Sequence, residues 1–150
     1  MQNNEVEIKP YEEIFREQIL TVWEKSVLAT HNFLEPDDFI SIKAAVQNIN
    51  FNAFLVYCLM LEDRVAGFVG VADRKIEMLF LDPSFFGRGL GKKLMDFAMT
   101  ELKANKVDVN EQNSNSVKFY KKLGFETHER TEKDDQGKNY PLLRMELKKT

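Results

Sequence analysis

Three glycines alternate over five residues in "LDPSFFGRGLGKKLMDFAM", Leu81 to Met99, as Gly87, Gly89 and Gly91. An apolar run precedes them and a helical pattern follows, a spacing that suits anion chemistry. The first turn of a helix leaves N–H groups without internal partners, and the macrodipole places positive charge at the same end. Residues without Cβ let a phosphate come close to those amides. Arg88, Lys92 and Lys93 add positive charge nearby. Two familiar phosphate loops are excluded. A Walker loop needs Gly where Phe86 stands and Ser or Thr where Lys93 stands, and the dinucleotide fingerprint needs Gly where Lys92 stands. On these residues alone, a flexible turn without a ligand is an equal alternative.

Few other side chains carry obvious chemistry. His31, in "ATHNFL", is one of two histidines. Near neutral pH an imidazole accepts a proton or binds a carboxylate, although a loop histidine is often only a capping or surface residue. His128, in "ETHER", is expected to face solvent. Glu77 lies in "KIEMLFL", which partly alternates, so an outward-facing strand residue competes with a role as a base. Phe119 and Tyr120 are neighbours and cannot share one helix face. If Phe119 and Leu123 face the core, Tyr120 turns toward a rim or cleft. The lone Cys58 sits in "AFLVYCLML" and is expected to be a buried core residue rather than a nucleophile. No Cys/His spacing resembles a metal site, so none is expected.

These residues need elements to position them. "EVEIKP" reads as a first strand ending at Pro10, followed by a helix from Tyr11 to about Thr30. "ATHNFLEPDD" interrupts, and Pro36 with Asp37 and Asp38 suits the first turn of a second helix, reaching about Ile49. Residues 53–83 read as three strands joined at "EDR" and "ADRK". A helix from Gly89 to about Ala104, the strand "KVDVNEQ" and the helix "NSVKFYKKLG", stopped by Gly124, follow. "FETHERTEK" and "YPLLRMELKK" close the chain as strands around "DDQGKN". The order β-α-α-β-β-β-α-β-α-β-β predicts one mixed α/β domain over residues 1–150.

Composition agrees with that reading. At 150 residues and 43% hydrophobic, the chain suits one domain with a substantial core. A net charge of −3 argues against a general nucleic-acid binder. No apolar run reaches membrane-spanning length, and the N-terminal residues lack the pattern of a signal peptide. With a lone cysteine, these features predict a cytoplasmic protein.

The glycine segment resembles the acyl-CoA-binding motif of the GNAT acetyltransferases, Gln/Arg-x-x-Gly-x-Gly/Ala. Residues 86–91 match it at both glycine positions and depart at Phe86. "NSNSVKFYKKLGF", Asn113 to Phe125, is similar to the second family signature, N-x-x-A/S-x-x-F-Y-x-x-x-G-F. Two motifs in the family's order are far more specific than either alone. "SVLATHNFL", "DVNEQN" and "GKNYPLL" further resemble the YjaB-type bacterial subgroup of lysine or small-amine acetyltransferases. The resemblance covers nearly the whole chain. It implies the GNAT fold, a mixed central β-sheet of about seven strands flanked by helices. It also implies acetyl-CoA as acetyl donor and a primary amine, on a protein lysine or a small molecule, as acceptor. Many relatives form dimers, so a homodimer is an expectation carried by the resemblance alone.

The resemblance also assigns roles. Tyr120 matches the general acid that protonates the departing thiolate, and a phenol is largely protonated at neutral pH. Glu77 matches an acidic residue that draws a proton from the amine through water. Backbone groups of Leu79, Phe80 and Leu81 are expected to pair with the pantetheine amides, as an added strand would. Phe86, Gly87, Arg88, Gly89, Leu90, Gly91 and Lys92 are expected to hold the pyrophosphate, with Arg88 or Lys92 replacing the charge missing at Phe86. Asn113 is expected both to bond the pantetheine arm and to cap the helix carrying Tyr120. Trp23, His31, Phe33 and Tyr140 are expected near the acceptor, with packing the alternative for the aromatics. The rival to an enzyme is a module that binds acyl-CoA without catalysis.

Overall fold

The structure, a computed structural model, describes residues 6–148. Seven strands and four helices follow one another in the expected order. The strands are β1 (Val6–Pro10), β2 (Leu55–Leu61), β3 (Arg64–Ala72), β4 (Lys75–Leu81), β5 (Lys106–Asn110), β6 (Phe125–Thr131) and β7 (Leu142–Leu147). The helices are α1 (Arg16–Thr30), α2 (Pro36–Val46), α3 (Leu90–Glu101) and α4 (Ser114–Lys122). Of the sequence-based strands, Glu5 and Lys149 lie outside the described residues.

All seven strands form one sheet in the order β1-β2-β3-β4-β5-β7-β6. Every neighbouring pair is antiparallel except β4 and β5. Glu62–Asp63 and Asp73–Arg74 join β2 to β3 and β3 to β4, and all four residues have positive φ. Positive φ at both central residues gives the turn twist that matches paired strands. Helices cover both faces. Leu90, Leu94, Met95 and Ala98 of α3 and Tyr120 of α4 pack with Val69, Ile76, Val107 and Met145 on one face. Ile19, Trp23 and Val27 of α1 pack with Cys58, Phe68 and Met78 on the other. Covered on both sides, β3 is buried from Val65 to Val71, which explains its unbroken apolar run. Cys58 is fully buried, and burial pushes its thiol pKa up to about 12, as suits a core residue.

Element ends differ from the sequence reading for local reasons. Helix α1 starts at Arg16, not Tyr11, because the Tyr11 N–H donates to the Val56 carbonyl at 2.9 Å and prolongs the strand pairing. Helix α2 stops at Val46, not Ile49. The Arg16 guanidinium donates to the carbonyls of Gln47 and Ile49, both at 2.8 Å, and satisfies the end of that helix. Strand β7 starts at Leu142, after Pro141, which has no N–H to donate. Among the described residues, no helix is long and apolar enough to cross a membrane.

Candidate active site

The site begins where the sheet opens. Strands β4 and β5 pair only through Lys75↔Lys106 and Ile76↔Val107. Strand β4 runs on to Leu81 with its other edge on β3, so residues 77–81 face β5 without a strand partner. Unpaired N–H and C=O groups on such an edge are a template for an added strand. The closed end is tied by Asp108, which accepts from Lys75 Nζ at 2.6 Å and from the Arg144 guanidinium at 2.7 Å.

A bulge sits just past the last shared rung. Gly70 pairs with Met78 and Val71 with Ile76, which leaves Glu77 as the extra residue on β4. The inserted residue reverses the side-chain alternation. Ile76 therefore packs under α3 and α4, Met78 packs under α1, and Glu77 projects exposed at the mouth of the opening.

At the far end of β4 the chain turns into α3. Asp82 Oδ1 accepts from the Ser84 N–H at 3.0 Å and the Ser84 hydroxyl at 2.8 Å, fixing a single 3-10 turn at Pro83–Phe85. Gly87 and Gly89 then adopt φ of +79° and +75°. A Cβ at either position would meet nothing within 4 Å, so the backbone conformation requires these glycines rather than lack of room. Helix α3 opens at Leu90, and no side chain caps Gly89. The first amides of a helix have no internal partner and suit an anion. Leu90 is buried in the core, so only its backbone faces the turn.

Two connected clefts follow this geometry. The first, about 450 Å³, is lined by Leu79, Phe80, Leu81, Phe86, Gly87, Gly89, Gly91, Lys92 and Asn113, among others. The second, about 220 Å³, contains Glu77, Asp108 and Tyr120. His31, Leu79, Phe80, Asn113 and Ser116 line both, so they form one groove. A third hollow, about 500 Å³ and lined by Trp23, Phe54, Met78 and Phe80, meets the second at Glu77 on the α1 face.

Tyr120 lines the second cleft but lies deeper than a rim position. It is buried, 6% exposed, and packs edge-on against Phe125 at 5.8 Å, while the half-buried Phe119 lines the outer cleft beside Gly91. The second cleft, which Tyr120 lines, is the inner part of the groove and the first is the outer part. Burial raises its pKa above the ordinary phenol value, because the phenolate would lack solvation. Asn113 Oδ1 accepts from the Ser116 N–H at 3.3 Å, capping α4 as expected, and it also lines both clefts. Lys92 lines the outer cleft, with its Nζ on Asp96 at 2.8 Å. The Arg88 guanidinium instead lies 5.4 Å over the Phe85 ring.

The residues expected near the acceptor divide. His31 ends α1, half-buried, with Nδ1 2.7 Å from Thr30 Oγ1. Burial lowers its pKa, which favours the neutral ring. Phe33 stacks obliquely on His31 at 5.3 Å and reaches Tyr140 at 6.1 Å. The Tyr140 hydroxyl donates to Asp38 Oδ2 at 2.5 Å and accepts from the Glu35 N–H at 3.0 Å, so it clamps the start of α2 and lines neither cleft of the groove. Trp23 stacks on Phe39 at 5.9 Å and lines the third hollow. Thr30, Ser116 and Phe119 are groove residues that sequence reading missed. Ser116 and Phe119 had a signal, their places in the second motif, and Thr30 had none. Among the described residues, no group of three or more His, Cys, Asp or Glu side chains is gathered to hold a metal.

Comparison with known proteins gives this geometry a context. The Acetyltransferase (GNAT) domain family matches residues 17–149. The peptidyl-lysine N-acetyltransferase YjaB of Salmonella typhimurium is 37% identical over 129 residues, 86% of this chain and 89% of that protein. The solution structure of apo-form YjaB from Escherichia coli superposes with a TM-score of 0.88 at 31% identity, covering 97% of this chain and 99% of that one. The PaiA N-acetyltransferase of Thermoplasma acidophilum, crystallised with coenzyme A, shares the fold at 20% identity and a TM-score of 0.70, over 97% and 99% of the chains. The groove fits an acyl-CoA donor: an uncapped glycine turn for phosphate and a free strand edge for amides. The chain belongs to the GNAT acetyltransferase family and is an acetyl-CoA-dependent N-acetyltransferase.

Proposed function

We propose that the acceptor is a protein lysine and that Tyr120 is the general acid. The observation that carries this reading is the single groove joining the uncapped glycine turn to the Tyr120 cleft along the free edge of β4. Acetyl-CoA supplies the acetyl group as a thioester. The amides of Gly87–Lys92 hold its pyrophosphate, with Lys92 adding charge, and Leu79, Phe80 and Leu81 offer the strand edge for its pantetheine amides. Asn113 and Phe86 flank that path. On this path the reacting end reaches the inner cleft, which Tyr120 lines.

The acceptor comes from the α1 side. The hollow lined by Trp23, Phe54 and Phe80 suits the aliphatic stem of a lysine, and Glu77 at its inner end attracts the cationic amine. A free lysine amine is mostly protonated at neutral pH, with a pKa of about 10.4. Glu77 draws off that first proton through water. His31 and Phe33 border the acceptor side, and Tyr140 holds their loop against α2. Tyr120, kept neutral by burial, donates its proton to the departing thiolate. The relatives' printed activity on peptidyl-lysine supports the choice of acceptor.

The test is a thiol-release assay with acetyl-CoA against lysine peptides, polyamines and free amino acids. Turnover of lysine peptides above the small amines supports the reading. Turnover of small amines alone overturns the acceptor assignment.

A further inference from the structure

The inner cleft contains a proton acceptor that the reading above leaves without a chemical task. The Thr30 hydroxyl donates its single hydrogen to the Ser26 carbonyl at 2.8 Å. At 2.7 Å from His31 Nδ1, that same oxygen can only accept. The hydrogen of the neutral ring is therefore on Nδ1, and Nε2 carries the lone pair. His31 lines both clefts, at the junction between the glycine turn and Tyr120. We propose that His31 is a further catalytic residue, whose Nε2 takes the proton that the acceptor nitrogen must lose as it bonds to the acyl carbon. This assignment rests on the donor path and acid role given above.

The protons balance. One leaves the ammonium by way of Glu77 before attack. The neutral amine then forms the C–N bond, and its nitrogen becomes cationic. His31 Nε2 accepts the second proton, the C–S bond breaks, and Tyr120 donates its phenolic proton to the sulfur. The imidazolium then returns a proton to the phenolate through cleft water, restoring both side chains. The products are the acetylated amine, the free thiol and one proton released to solvent.

The surroundings suit this role. The charged or titratable groups that line the clefts with His31 are Glu77 of β4, Asp108 of β5 and Tyr120 of α4 in the inner cleft and Lys92 of α3 in the outer one. Burial nevertheless dominates and lowers the pKa of His31, so the base form is present at neutral pH. Thr30 is a positioning residue, since it fixes the tautomer and the ring direction.

The experiment combines kinetics with a spectroscopic readout. His31→Gln is expected to lower kcat by about 100-fold or more while leaving acetyl-CoA affinity unchanged. Added imidazole should restore turnover in His31→Ala, with the rescued rate following the neutral fraction of the added base. Thr30→Val should lower kcat, and Thr30→Ser should recover it. Nitrogen NMR of the wild-type protein should show the Nδ1–H tautomer, a measurement that needs no variant to fold. An Nε2–H tautomer overturns the proposal. So does a His31→Gln enzyme within threefold of wild-type kcat. Wild-type protein that releases no thiol with any amine defeats the underlying reading as well, which separates the two failures.

Discussion

Ile76 and Val107 form the last shared rung between β4 and β5, and beyond that rung the two strands part. Everything the groove offers a ligand follows from this separation. On one strand the residue after the rung is Glu77, bulged outward. On the other it is Asp108, whose carboxylate holds Lys75 and Arg144 and keeps the closed end shut. The free edge then leads directly to the glycine turn and the uncapped start of α3.

Gly91 sets stability against function. It lies inside α3, and a Cβ there would touch only the Phe119 ring, at 3.6 Å. Gly91→Ala should therefore stabilise the ligand-free protein by about 0.5–1 kcal/mol through helix propensity. The added methyl also enters the outer cleft, the proposed path of the donor. Thermal melting should show a higher Tm without ligand and a smaller upward shift on adding acetyl-CoA.

Tyr120→Phe tests the proposed general acid. Among the described residues none hydrogen-bonds the Tyr120 hydroxyl, and the ring stays packed against Phe125, so the variant should melt close to wild type. Its kcat should fall by about 100-fold or more, with acetyl-CoA affinity intact. Steady-state kinetics with calorimetric binding would separate the two effects.

The Tyr140 clamp predicts a different signature. Tyr140→Phe removes the donor to Asp38 and the acceptor for the Glu35 N–H. Tm should drop by roughly 2–6 °C, the scale of one lost charged hydrogen bond in a domain of this size. The acceptor KM should rise as the loop carrying His31 and Phe33 loosens, while the acetyl-CoA KM stays constant.

Stability should also fall with pH in two stages. His31 has a folded pKa below its ordinary 6.5 because burial disfavours the cation. Between the two values the unfolded chain binds more protons, so stability declines as pH falls below about 6.5. Asp38 is held below 3.8 first by its hydrogen bond from Lys138, then by that from Tyr140. Its contribution is present above 3.8 and is lost as pH falls further. Urea unfolding across this range should show both stages, and His31→Gln should abolish only the upper one.

What could be read from sequence was local. The glycine turn was legible because positive φ is a single-residue property, and Gly87 and Gly89 adopt it. The Asn113 cap was legible because its partner, Ser116, is three residues away. Non-local features were not. The bulge at Glu77 depends on the register with β3, which no periodicity within "KIEMLFL" reveals. The placement of β7 between β5 and β6 depends on long-range pairing. Tyr140 and Asp38 meet across 102 residues of chain. Placing Phe119 on the core side turns Tyr120 outward, whereas in the structure both pack against the same core and Tyr120 is the deeper.

The most direct measurement is a crystal structure with bound acetyl-CoA. The expected result has the pyrophosphate on the amides of residues 87–92, the pantetheine arm along β4 beyond Ile76, and the sulfur in hydrogen-bonding contact with the Tyr120 hydroxyl. A donor bound elsewhere, or a sulfur directed away from that hydroxyl, would contradict the account.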